Sequence, residues 1–359
     1  RKENSYFRNS SFIAVSRLIL FLAIVITFFS QLEFQVDADT VTTAVTVGNS
    51  APVITAGPAE NPVSSTTSPT NVGLDVTWQA TATDYNGDNY YLIICSSDSV
   101  TPVNSNPPTC GATTWCTSTA TTSASQATCS RTTLVGDAYT NNWYAFVCDG
   151  TTAAACSATG NTGTGDSGSP FVVNHRPSFT AVSNDSPKNP GGTITWSTTA
   201  SDTTDSHTVK LLVCKTTGIT GDACDGGAGD TWCSSSLVAS DPSCQYEIPA
   251  VAPAGSNNAY VYIVDQHNFA ASSASQGSNV SFTISNVAPV VSAVTINGGV
   301  AINLEESTTK AVTLTATVTD NNSCQDLSSV LGYVYRSGIA YSGCDTSGEA
   351  DNNYCYPEV

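Results

Sequence analysis

The chain is poor in charge and in several residue types that would narrow its function. It has no methionine, three histidines, and 11 Lys and Arg against 29 Asp and Glu. Charged residues make up only 11% of it, which excludes a charge-rich disordered chain. Four of its eleven cations, Arg1, Lys2, Arg8 and Arg17, sit in the first seventeen residues. The rest of the chain therefore carries no basic patch for nucleic acid or anionic lipid. No C-x-x-C occurs, and His175, His207 and His267 flank no cysteine cluster. A zinc site is a poor reading on that spacing. After residue 38 no stretch keeps helical spacing for three turns.

Much else is present. Residues 1–38 have the pattern of a secretory signal peptide: a basic flank, the apolar run "LILFLAIVITFF" (18–29), and the small-residue site "VDA" (36–38). An uncleaved N-terminal anchor is the rival. The apolar run falls short of the roughly 20 residues a bilayer requires, and Gln31 and Glu33 follow it. Both readings export the remainder, so its 13 cysteines are expected to form disulfides.

The remainder is repetitive. "DVTWQATATD" (75–84) returns as "TITWSTTASD" (193–202) and "AVTLTATVTD" (311–320), each 118 residues after the one before. Trp78, Trp196 and Leu314 hold one position of this phrase and Asp84, Asp202 and Asp320 another. Val76, Trp78, Ala80 and Ala82 alternate with polar residues, the period of a strand with one buried face. N-x-x-P joints precede each copy: "NSAP" (49–52), "NHRP" (174–177) and "NVAP" (286–289). Downstream, "YYLIIC" (90–95) matches "VKLLVC" (209–214), "TTWC" (113–116) matches "DTWC" (230–233), and "NNWYAFVCD" (141–149) matches "NNAYVYIVD" (257–265).

About seven short strands per unit, separated by Gly-, Pro- and Asn-rich turns, predict an all-β chain of tandem antiparallel sandwiches. The expected organisation is a signal segment (1–38), a linker (39–48), two complete domains (49–173 and 174–285) and a truncated third (286–359). The third unit stops short of its later strands, which predicts a fragment of a longer reading frame.

The N-x-x-P joints, the A-T-A-T-D strand ending and the "YVYIVD" strand resemble tandem immunoglobulin-like or fibronectin type III-like domains of exported bacterial surface proteins. The resemblance covers about residues 49–359. It implies that Tyr144 and Tyr260 are tyrosine-corner residues and, with Trp78, Trp196 and Leu314, part of the structural core. The chain departs from true immunoglobulin domains because no cysteine lies on the strand that carries Trp78.

Three motifs could carry chemistry. "GDSGSP" (165–170) resembles the nucleophile motif of trypsin-like proteases, with Ser167 as nucleophile. No histidine precedes it, however, and the chain order His, Asp, Ser is broken. "DYNGD" offers Asp84, Asn86 and Asp88 as alternating oxygen ligands for calcium, although Asn-Gly is by itself a turn signal. Its counterparts "DTTDSH" (202–207) and "DNNSCQD" (320–326) do not keep the spacing. The five tryptophans could stack on sugars, but two fall on inward strand positions, so core packing is the expected role.

Cysteine usage predicts specific pairs. The first unit has six cysteines and the second has four. Val264 and Ser272 stand where a direct alignment places Cys148 and Cys156. Their joint loss predicts Cys148–Cys156. Of the three pairings left to the other four in each unit, sequential pairing is expected: Cys95–Cys110, Cys116–Cys129, Cys214–Cys224 and Cys233–Cys244. Cys344–Cys355 is expected in the third unit, with Cys324 unpaired.

These features predict a non-enzymatic secreted or cell-surface array acting as stalk, spacer or adhesin. Its partner would be a protein or glycan. It would bind no nucleic acid and would meet the membrane only through its N-terminal segment or an anchor elsewhere. The alternative is the accessory region of a larger exported glycoside hydrolase or peptidase. No cofactor is expected beyond the calcium candidate.

Overall fold

In a computed structural model, the described residues are 16–24, 26–27, 48–303, 305–335, 337–338 and the backbone of 355–356. The chain divides into Arg1–Gly48 and Asn49–Val359. In the first unit, residues 16–24 and 26–27 are helical. No helix among the described residues is long and apolar enough to cross a membrane.

The second unit is built of strands. Counting those that form the main sheets, β1 is Val53–Glu60, β2 Asp75–Thr83, β3 Tyr90–Cys95, β4 Thr114–Thr117, β5 Gln126–Thr132, β6 Tyr144–Asp149 and β7 Phe171–Asn174. One sheet runs β1-β2-β5 and the facing sheet β6-β3-β4. β7 pairs antiparallel with Thr140–Asn141 and parallel with Thr70–Asn71.

The same plan repeats. β8 is Ser178–Asn184, β9 Thr193–Ser201, β10 Val209–Cys214, β11 Thr231–Ser234, β12 Ser243–Glu247, β13 Tyr260–Asp265 and β14 Phe282–Ile284. β8-β9-β12 face β11-β10-β13, and Ser278–Asn279 extends the second sheet. Register repeats as well. Trp78 opposes Cys129 and Trp196 opposes Cys244, while Tyr144 opposes Cys95 and Tyr260 opposes Cys214. Each is an all-β immunoglobulin-like sandwich.

The alternation read along 75–84 has its physical counterpart in β2. Val76, Trp78, Ala80 and Ala82 are all within 1% of full burial, and their neighbours face out. Trp78 meets Trp143 and Phe171 edge to face, with centroids 6.2 and 5.5 Å apart. Trp196 meets Phe282 at 5.4 Å in the second sandwich. β1 bulges at Gly57, whose φ is 77°. A Cβ there would lie 2.8 Å from the Gln79 carbonyl, so a side chain cannot be placed without moving β2.

β3 is apolar throughout and β10 is apolar except at Lys210, because both faces of each strand are largely covered. Their inner faces join the main cores. Their outer faces carry a second small cluster, Ile93, Cys95, Phe146 and Cys148 in one sandwich and Leu212, Cys214, Cys224, Tyr262 and Val264 in the other. The cysteine-rich excursions lie over these clusters.

Disulfides bond Cys95 to Cys110, Cys116 to Cys129, Cys148 to Cys156, Cys214 to Cys224, and Cys233 to Cys244. Cys116–Cys129 joins β4 to β5, and so ties one sheet to the other beside Trp78. Cys233–Cys244 repeats this between β11 and β12. The inter-sheet tie therefore bypasses the tryptophan strand, which explains why that strand has no cysteine. Cys344 lies outside the described residues, and with it the expected Cys344–Cys355 pair. Cys324 is free and exposed.

Two core expectations are corrected. Leu314 begins β16 (Leu314–Thr319), which pairs only with β15 (Val290–Ile296). Leu314 occupies the tryptophan position of the phrase and opposes Ile296, yet it is 36% exposed. No facing sheet covers this ribbon among the described residues, so the alternation buries nothing. Tyr144 and Tyr260 are half-buried and pack on the outer clusters, because their register with Cys95 and Cys214 turns them away from the main core. A tyrosine bonded to backbone in the manner of a corner is Tyr90, whose hydroxyl donates to Ser125 O at 2.5 Å and accepts from Ala82 N at 3.1 Å.

Candidate functional site

Three N-x-x-P joints are built alike. In each, the residue after the joint asparagine donates its backbone N–H to a side chain in the turn that follows the tryptophan-phrase strand. Ser50 donates to Asn86 Oδ1 at 2.9 Å, His175 to Asp205 Oδ2 at 2.5 Å, and Val287 to Asn322 Oδ1 at 2.6 Å. The aspartate that ends each phrase shapes that turn. Asp84 accepts from Asn86 N at 2.7 Å, Asp202 from Asp205 N at 3.3 Å, and Asp320 from Asn322 N at 2.7 Å. Side chains of this kind satisfy turn N–H groups that would otherwise lack partners.

The asparagine itself reaches farther. Asn49 donates to Asp149 Oδ2 at 2.8 Å and Asn174 to Asp265 Oδ2 at 2.9 Å. Asp149 and Asp265 end the equivalent strands β6 and β13. The Asp265 Oδ1 accepts from His267 N and Phe269 N at 2.7 and 2.8 Å, so its whole carboxylate is engaged. Asn174 is fully buried and also donates to Asn71 Oδ1 of the first sandwich at 2.9 Å. One amide thereby links a residue of each sandwich.

The calcium candidates fall inside this device. Asp84 accepts the N–H groups of Asn86 and, at 3.4 Å, Asp88, while Asn86 Oδ1 takes the Ser50 N–H and hydroxyl. Their oxygens act as a turn cap and a joint staple.

Between the first and second sandwiches the joint gathers more chemistry. Asp202 and His207 are backbone-paired across a tight turn in which Ser206 has a φ of 60°. His175, Asp202, Asp205 and His207 are each buried to within 7% of completeness. His175 Nδ1 lies 2.7 Å from Asp205 Oδ1. His207 Nδ1 lies 3.6 Å from Asp202 Oδ2 and 4.0 Å from Asp205 Oδ2. Its Nε2 lies 3.3 Å from the hydroxyl of Tyr139, a first-sandwich residue. The His207 and His267 rings stack edge to face with centroids 4.7 Å apart. Burial, with the charges of Asp205 and Asp265, pushes the Asp202 carboxyl up to about 6. Burial and then the neighbouring His207 lower the pKa of His267. Sequence reasoning set "DTTDSH" (202–207) aside because it does not keep the spacing of "DYNGD", and nothing local places His175, 27 residues before Asp202, beside it.

The other candidates are not brought together with it. Ser167 lies in a short 3₁₀ turn, Gly165–Ser167, and its hydroxyl faces the Thr164 carbonyl at 3.4 Å. Trp115 and Trp232 donate Nε1–H to the carbonyls of Asn142 and Asn258. Arg131 and Lys215 lie over their rings at 4.6 and 4.8 Å, so their exposed faces carry cations.

Comparison with known proteins adds little. No protein-family model matches the chain, and no curated protein matches it. Two solved chains, each described as a marsupial T cell receptor, are similar in part. One has 11% identity and a TM-score of 0.34 over 68% of this chain and 76% of its own. The other has 13% identity and a TM-score of 0.21 over 63% and 74%. The assignment to the immunoglobulin-like sandwich class rests on the strand pairings described above. Five disulfides fit an oxidising environment.

Proposed function

We propose that this chain is a non-enzymatic, exported spacer. Its tandem immunoglobulin-like sandwiches would stand at set joints at the cell surface, presenting contacts to a protein or glycan partner. The observation that carries the reading is the joint staple. A linker meant only to tether would not need the same hydrogen bonds three times, nor a buried amide shared between two sandwiches. The acidic surface supports it too, since net charge −18 keeps neighbouring copies apart.

Calorimetry of the full chain tests the reading. A coupled transition for the first two sandwiches is expected, and Asn174→Ala should separate it into two. Two independent transitions in the native chain would remove the ground for a set joint.

A further inference from the structure

We propose that Asp202, Asp205 and His207 form a binding site for a divalent transition-metal ion of the zinc class, beside the joint of the first two sandwiches. One donor atom from each lies within 4.8 Å of the other two, and all three residues are buried. Tetrahedral zinc with bonds near 2.1 Å holds its donors about 3.4 Å apart. The His207 imidazole lies 3.6 and 4.0 Å from its two carboxylates, and all three donors are within 4.8 Å of one another, so a contraction of the cluster reaches that geometry.

The unpartnered atoms point to a cation. Asp202 Oδ2 and His207 Nδ1 are buried with no hydrogen-bond partner, although they face each other. If His207 carries its proton on Nε2, toward Tyr139, then Nδ1 presents a lone pair to two carboxylate oxygens. If the proton is on Nδ1, the nearest acceptor at 3.6 Å is beyond hydrogen-bond range. Either tautomer strands a buried polar atom. A cation among the three satisfies all of them at once.

The donor set selects the metal class. Calcium requires six to eight oxygens, whereas one imidazole with two carboxylates suits zinc, cobalt, nickel or copper. Three protein donors leave at least one coordination position to water. The donors are already held from behind. Asp202 Oδ1 accepts from Asp205 N, Asp205 takes both the N–H and the Nδ1 of His175, and His207 Nε2 meets Tyr139. A cleft of about 330 Å³ lined by Arg176, Asp202, Thr203 and Thr204 reaches the cluster at Asp202.

The first joint is an internal control. Asp84 Oδ2 is also buried without a partner, but Asn86 stands in the place of Asp205 and the turn "DYNGD" supplies no imidazole. The first joint lacks both the imidazole and the second buried carboxylate of the second joint.

The test uses the full chain stripped with EDTA and titrated with Zn²⁺ by calorimetry, with Co²⁺ as an optical probe. One saturable Zn²⁺ per chain is expected, with visible Co²⁺ bands. Asp202→Asn and His207→Gln should each weaken binding at least tenfold, and Asp84→Asn should leave it unchanged. Circular dichroism checks that the variants fold. Should neither variant fold, nitrogen-15 imidazole NMR of the native chain decides, because one of only three histidines must shift on Zn²⁺ addition. Absence of saturable binding, equal binding by the Asp202 and His207 variants, competition by millimolar Ca²⁺, or no imidazole shift would each overturn the site.

Discussion

The Asn174 side-chain amide donates to Asp265 Oδ2 at 2.9 Å across 91 residues of chain, and Asn49 repeats the contact with Asp149 at 2.8 Å. The asparagine of each of these joints is thus planted in the sandwich it precedes, on the carboxylate that closes the penultimate core strand. Asn174→Ala leaves Asp265 Oδ2 without its side-chain donor at a residue only 1% exposed. An unpaired buried group of this kind costs about 1–3 kcal/mol. Denaturant unfolding should show that loss, and Asn174→Asp should be worse because it sets two carboxylates together.

Glu60 sets a pH dependence. It is 3% exposed and accepts from Trp143 Nε1 and Ser64 N. Burial raises its carboxyl from 4.5 to about 7. The folded pKa lies above the unfolded one, so this stabilising contribution is complete below about pH 4.5 and is lost as pH rises through about 7. The change amounts to about 3 kcal/mol. Native stability minus that of Glu60→Gln should fall across this window. A difference that does not vary with pH removes the assignment.

The disulfides should differ in value. Cys148–Cys156 closes a short turn and is worth about 2–3 kcal/mol by loop entropy. Cys116–Cys129 joins the two sheets beside Trp78. Its replacement by alanines opens a cavity in the main core as well, so it should lower the melting temperature more than loss of Cys148–Cys156 does. Non-reduced peptide mapping checks the pairs themselves.

The ribbon of β15 and β16 buries almost none of its own side chains. Limited proteolysis of the native chain should cut within 286–335 before it cuts either complete sandwich. Early cleavage between 90 and 95 would contradict the packing described for β3.

Ser167 should resist a fluorophosphonate probe. Stoichiometric labelling would restore the hydrolase reading.

The parts of the fold legible in the sequence were those set by local periodicity. Alternation along 75–84 and 193–202 reports one buried face, and the apolar runs at 90–95 and 211–214 report two. The joints were legible as N-x-x-P motifs but their contacts were not, because Asn174, Asn71 and Asp265 meet only through tertiary packing, and so do His175 and Asp205. The direct alignment of Ser272 with Cys156 was also mistaken. Val264 bridges Ala270, whereas Cys148 bridges Cys156, so the second turn is two residues shorter. Composition cannot reveal that deletion, since Ala, Ser and Asn are equally at home on either side of it. Leu314 shows the converse limit: a strand phrase predicts an apolar face but not what covers it.

The central claim is that the joint between the first two sandwiches has one geometry, held by Asn174. Electron-resonance distance measurement tests it most directly, with genetically encoded spin labels at the exposed strand positions Thr128 and Gln245. A single narrow distance distribution is expected in the native chain, broadened by Asn174→Ala. A broad native distribution, or a narrow one that Asn174→Ala leaves untouched, would contradict it.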